Sequence, residues 1–66
     1  MLVLKQRVYS AGFNVNDLAN EMSFQYPVIL NALNHGRLPV RKLTQFKEEA
    51  TNFLTKRNIE SEGVWT

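Results

Sequence analysis

The chain has 66 residues, 44% of them hydrophobic, with eight Lys or Arg, six Asp or Glu, one histidine and no cysteine. A chain this short forms one domain, buries only about 60% of its unfolded surface, and is expected to be stable by a few kcal/mol unless a partner helps. No disulfide or thiolate metal site can be built, the lone His35 argues against zinc, and the apolar run around Leu2-Val3-Leu4 is too short for a membrane span or a signal core.

The hydrophobic spacing predicts helices throughout. Leu4, Val8 and Ala11 recur at helical intervals, with Leu2 extending the stripe, so residues 2–11 form a first helix that Gly12 stops with a left-handed cap. Asn14 caps a second, short helix with Val15, Leu18, Ala19 and Met22 on one face, ending near Ser23. After Ser23-Phe24 the chain is helical again from Gln25 to His35. Pro27 sits in the first turn, where its missing N–H is harmless, Ile29, Ala32 and Leu33 face inward, and Gly36 ends the helix. Pro39 opens a longer helix from about Val40 to Lys56, striped by Leu43, Phe46, Ala50, Phe53 and Leu54, with Lys56 and Arg57 suiting its negative end.

No strand pattern competes, so the fold class is all-α. We expect a compact bundle of four helices, or five if the last stretch is broken. Its core is drawn from Leu4, Val8, Phe13, Leu18, Ala19, Met22, Phe24, Ile29, Leu33, Leu43, Phe46, Ala50 and Phe53.

Charge is unevenly spread. His35, Arg37, Arg41 and Lys42 lie close together, whereas the acids stand elsewhere, at Asp17, Glu21, Glu48, Glu49, Glu60 and Glu62. A local basic stretch on a nearly neutral chain suits contact with phosphates. Two short helices also meet across a tight turn, as in a helix-turn-helix, whose second helix enters the major groove. Such a motif needs a small residue where the helix axes cross, here Ala19, a turn at Ser23 and a buried residue after it, Phe24. Leu18, Ile29 and Leu33 complete the motif core.

Gly12 through Ala19 resembles the opening of this motif in phage Cro and repressor proteins. Ser23 through Arg37, with Ile29-Leu30-Asn31-Ala32-Leu33 and the ending Gly36-Arg37, is similar to a Cro recognition helix and the loop behind it. The likeness covers residues 2–54. It implies a helix-turn-helix domain over residues 1–57, with 58–66 a tail that is flexible or contacts a second copy. It also implies a regulator in the bacterial cytoplasm, binding a pseudo-palindromic double-stranded DNA operator as a weak homodimer.

On this resemblance Gln25, Tyr26, Pro27, Val28 and Asn31 would face bases. Gln25 or Asn31 would pair with adenine and Val28 would pack on a thymine methyl. Asn34, Arg37, Arg41 and Lys42 would hold the phosphate backbone. Dimer contacts would come from Phe53, Leu54, Ile59 and Trp65.

The chain departs from the family at Ser23, where a glycine is usual, at Val15, where a phosphate-binding glutamine is common, and in the apolar character of Pro27, Val28 and Leu30. Serine at a left-handed position would cost about 1 kcal/mol. Those apolar residues support an alternative reading, a protein-interaction module docking through Tyr26, Pro27, Val28 and Leu30. No catalytic set, cofactor motif or small-molecule site is legible, and Glu48-Glu49 read as a solvated helix face.

Overall fold

The computed structural model describes residues 1–65, and four helices account for its regular structure: α1 (Leu2–Ser10), α2 (Val15–Glu21), α3 (Tyr26–His35) and α4 (Val40–Lys56). No strand occurs among the described residues, and none of the helices is long and apolar enough to cross a membrane.

Each helix ends for a local reason. Past α1 the chain turns left-handed at Gly12, φ +88. There the Gly12 N–H donates to the Tyr9 carbonyl at 3.0 Å and the Phe13 N–H to the Val8 carbonyl at 3.1 Å. This pair of bonds is the Schellman arrangement, which satisfies carbonyls that the last helical turn would leave open. Asn14 then opens α2 with a reciprocal capping box. Its Oδ1 accepts from the Asp17 N–H at 3.2 Å, and Asp17 Oδ2 accepts from the Asn14 N–H at 2.8 Å.

α2 stops at Glu21, slightly before the expected end near Ser23, because Met22 is extended at φ −87, ψ 158. Extended backbone alternates its side chains, so Met22 and Phe24 point into the core while Ser23 stays exposed. α3 carries Pro27 in its first turn and stops at Gly36, φ +64, whose N–H returns to the Ala32 carbonyl. α4 closes with a second Schellman pair, Asn58 N–H to Thr55 at 3.2 Å and Ile59 N–H to Leu54 at 2.9 Å.

α2 packs on α3 and α4, and α1 packs on α3. The core holds Leu4, Val8, Val15, Leu18, Met22, Phe24, Ile29, Ala32, Leu33, Phe46, Ala50, Phe53, Leu54 and Val64. Burial of each large aliphatic or aromatic member contributes about 1.5–3 kcal/mol. Phe13 and Ala19, expected in the core, are half-buried and pack against it. Leu43 is also half-exposed, because it belongs to the first turn of α4 and the core lies further along that helix. Leu2, placed on the α1 stripe, is 62% exposed.

Two expected dimer contacts are corrected by burial. Phe53 is 1% exposed and Leu54 0%, so both are interior residues of a single chain and have no surface to offer a second copy. The segment after α4 likewise packs onto its own chain. Val64 is buried in the core, Ile59 packs against it, and Trp65 Nε1 donates to Thr51 Oγ1 on α4 at 3.1 Å. Lys47 lies 5.7 Å from the Trp65 ring centroid. Thr66, the last residue of that tail, lies outside the described residues.

Candidate nucleic-acid interface

α3 owes its outward face to the way its inner face is fixed. Ile29, Ala32 and Leu33 are buried, and the helical period therefore turns Pro27, Asn31 and Asn34 outward along one line. Gln25, Tyr26, Pro27, Asn31 and Asn34 are all exposed, Tyr26 by 42%. Val28 and Leu30 behave differently. Both are half-buried and pack against the core, so the apolar patch read from Tyr26, Pro27, Val28 and Leu30 shrinks to Tyr26 and Pro27 with the edges of the other two.

The corner between α2 and α3 is attached to α4 at two points. Glu49 Oε1 accepts the Ser23 backbone N–H at 2.5 Å, and the Phe24 ring meets Phe46 edge-on at 5.4 Å. Glu49 also accepts from Gln45 Nε2 at 2.7 Å. It is thus half-buried and hydrogen-bonded, where the sequence had placed it on a solvated face with Glu48. Ser23 is absent from the residues with positive φ, so it carries no left-handed strain. Ala19, expected where the two helix axes cross, is half-buried and packs against the core.

Lys47 and Lys56 of α4 aside, the Lys and Arg side chains fall into two sets; Lys47 lies beside Trp65, and Lys56 is exposed and makes no hydrogen bond among the described residues. Arg57 donates through Nη1 and Nη2 to the two oxygens of the Glu21 carboxylate, and its Cζ lies 3.9 Å from the Phe53 ring centroid. That hydrogen-bonded pairing lowers the Glu21 pKa and raises that of Arg57. Arg7 donates to the Glu60 carbonyl, and Lys5 Nζ donates to Asn34 Oδ1 at 2.8 Å.

Arg37, Arg41 and Lys42 form the other set. They are exposed, on the loop after α3 and the first turn of α4, and no hydrogen bond, ion pair or ring contact engages their side chains among the described residues. Not one Asp or Glu occurs between Glu21 and Glu48, a span that contains the whole of α3 and the start of α4.

The helix N-termini sharpen this contrast. α2 has the Asn14–Asp17 box and an acid in its first turn. α3 and α4 have neither a side-chain cap nor an acid there. Pro27 leaves α3 one N–H fewer and the Lys42 N–H already donates to the Pro39 carbonyl, but both uncapped positive dipole ends favour an anion. Arg41 and Lys42 in the first turn of α4 oppose its dipole, an arrangement that disfavours the isolated helix and that a bound phosphate would relieve.

Other sites are less developed. A concavity of about 660 Å³ is an open groove lined by Val3, Gln6, Arg7, Ser10, Ile59 and Glu60 among others, with nothing from α2 or α3. No cluster of three or more His, Asp or Glu able to hold a metal ion occurs among the described residues. The sequence singled out neither Lys5 nor Glu49 for the site. Both act across the fold, at separations of 29 and 26 residues, where no local pattern reaches. No protein-family model, curated protein or solved structure matches the chain.

Proposed function

We propose that this chain is a double-stranded DNA-binding regulator of the phage Cro/repressor kind, in which α2 and α3 act as a helix-turn-helix and α3 enters the major groove. One observation carries the reading: the acid-free span from α3 into α4 holds three unpartnered cations, Arg37, Arg41 and Lys42, beside an exposed polar line on α3. Such a surface neutralises phosphates and releases their counterions. In this reading Gln25, Tyr26, Pro27 and Asn31 meet base edges, Val28 offers only its exposed edge to a thymine methyl, and Asn31 pairs with adenine. Arg37, Arg41 and Lys42 fix the register on the backbone. Two copies occupy a two-fold-symmetric operator, in the cytoplasm of a bacterial host.

Selection from random duplexes at two salt concentrations tests this. The expected outcome is a two-fold-symmetric motif that is lost with Asn31→Ala. The Arg41→Ala/Lys42→Ala double variant should weaken binding to all sequences and flatten log K against log salt by about two units, one per phosphate contact. Unselective, salt-insensitive binding would overturn the reading and turn attention to the remnant of the apolar patch at Tyr26 and Pro27 as a protein contact.

A further inference from the structure

Asn34 lies one turn beyond Asn31 on the outward line of α3, and its contact with Lys5 has a chemical consequence. An ammonium group only donates hydrogen bonds, so the amide must present its oxygen to Lys5 Nζ, 2.8 Å away. The Asn34 nitrogen then faces away with both N–H donors, and no hydrogen bond engages it among the described residues. An amide free to flip reads donors and acceptors alike, but this one is held as a donor. Beside it stands the Lys5 charge, with ammonium protons to spare.

We propose that Lys5 and Asn34 together form a binding site for one backbone phosphate of the DNA duplex, with Lys5 both supplying charge from α1 and fixing Asn34 as a donor to a phosphate oxygen. The inference rests on the DNA-binding reading above, and it adds α1 to a surface otherwise made of α3 and the start of α4. Chemistry favours phosphate over a base edge here. Two groups that only donate cannot give adenine the paired donation and acceptance it needs; between the acceptor-only edge of guanine and a phosphate, the charged phosphate oxygen is the stronger match for an ammonium beside an amide donor. The C-terminal end of α3 carries about half a negative charge from its dipole. The full positive charge of Lys5 outweighs it, with Arg37 exposed just beyond the helix.

The decisive variant is Asn34→Asp. A carboxylate keeps the oxygen that Lys5 needs and turns the contact into an ion pair, so the fold is preserved. The outward donors, however, are replaced by negative charge. Binding of wild type, Asn34→Asp and Lys5→Met to a mixed-sequence duplex of roughly 20 base pairs is to be measured across a salt series, with thermal melting of each protein alone.

We expect Asn34→Asp to melt within about 5 °C of wild type, the ion pair with Lys5 offsetting the cost of a carboxylate near the negative end of α3. It should nevertheless bind about tenfold more weakly or worse, with a salt slope smaller by about one phosphate contact. Lys5→Met should lose a similar slope. Wild-type affinity and slope in Asn34→Asp overturn the inference. If Arg41→Ala/Lys42→Ala still weakens binding in that case, only the Lys5–Asn34 site is lost. If wild type shows no salt-dependent binding at all, both this site and the DNA-binding reading fall together.

Discussion

At Glu49, burial favours the neutral acid, but the Ser23 amide and the Gln45 side chain outweigh it and hold the pKa below the ordinary 4.5. At Glu21 the hydrogen-bonded Arg57 pulls in the same direction. A carboxyl whose pKa is lower folded than unfolded stabilises the fold fully above its unfolded value, and that stabilisation disappears as pH falls through the folded value. The melting temperature is therefore expected to be flat near neutrality and to decline below about pH 4.5. Glu49→Gln and Glu21→Gln should each make that decline shallower when melting is followed by circular dichroism. An unchanged acid limb in Glu49→Gln would show that the Ser23 contact does not hold in solution.

At the level of elements, two helices end the same way with different residues in the left-handed position: Gly12 after α1 and Asn58, φ +57, after α4. A Cβ at Gly12 would meet nothing within 4 Å, so Gly12→Ala should cost about 1 kcal/mol through backbone conformation alone. Asn58→Gly should do the reverse, stabilising by up to about 1 kcal/mol in a urea titration. Equal midpoints for Asn58→Gly and wild type would contradict the strained turn.

These ends also show what the sequence made legible. Gly12, Asn14, Pro27, Gly36 and Pro39 are punctuation with local causes, and the helices begin and end within a residue or two of them. The inward residues of α3 were likewise fixed by period. Asn58 was less readable, because asparagine marks many turns and few helix ends. The role of Leu54 was missed for another reason. Its helix is amphipathic, but whether the edge of the stripe meets the chain's own tail or a second copy depends on where residues 59–65 go. The candidate site divides similarly. Exposure at Gln25, Asn31, Arg37, Arg41 and Lys42 followed from period and loop position, whereas the Lys5–Asn34 and Ser23–Glu49 contacts join elements far apart in sequence.

The whole molecule is small against its proposed target. Its Cα atoms span 27 × 24 × 18 Å, less than the separation of about 34–36 Å between major-groove faces one turn apart. On the proposed reading one copy would reach a single half-site, and a symmetric operator would need two. Native mass spectrometry should find two proteins on the full selected site and one on a duplex carrying half of it. A single copy protecting the whole symmetric site would contradict this geometry. With Phe53 and Leu54 interior, the exposed parts of Ile59 and Trp65 are what remains of the surface first assigned to pairing of two copies.

The anchored corner before α3 has a consequence for the ligand. The corner is held to α4 through Ser23 and Phe24 and α3 packs on α1 and α2; if these contacts keep α3 from tilting, it meets a groove as a stiff probe. A stiff probe does not adjust to a groove that is too narrow or too wide; the mismatch is taken up by whichever partner bends. In a duplex that strain varies with base sequence, being small at flexible pyrimidine–purine steps and large in stiff A-tracts. Part of the discrimination between operators would then arise at base pairs the protein never touches, through how readily each sequence yields to a helix that does not.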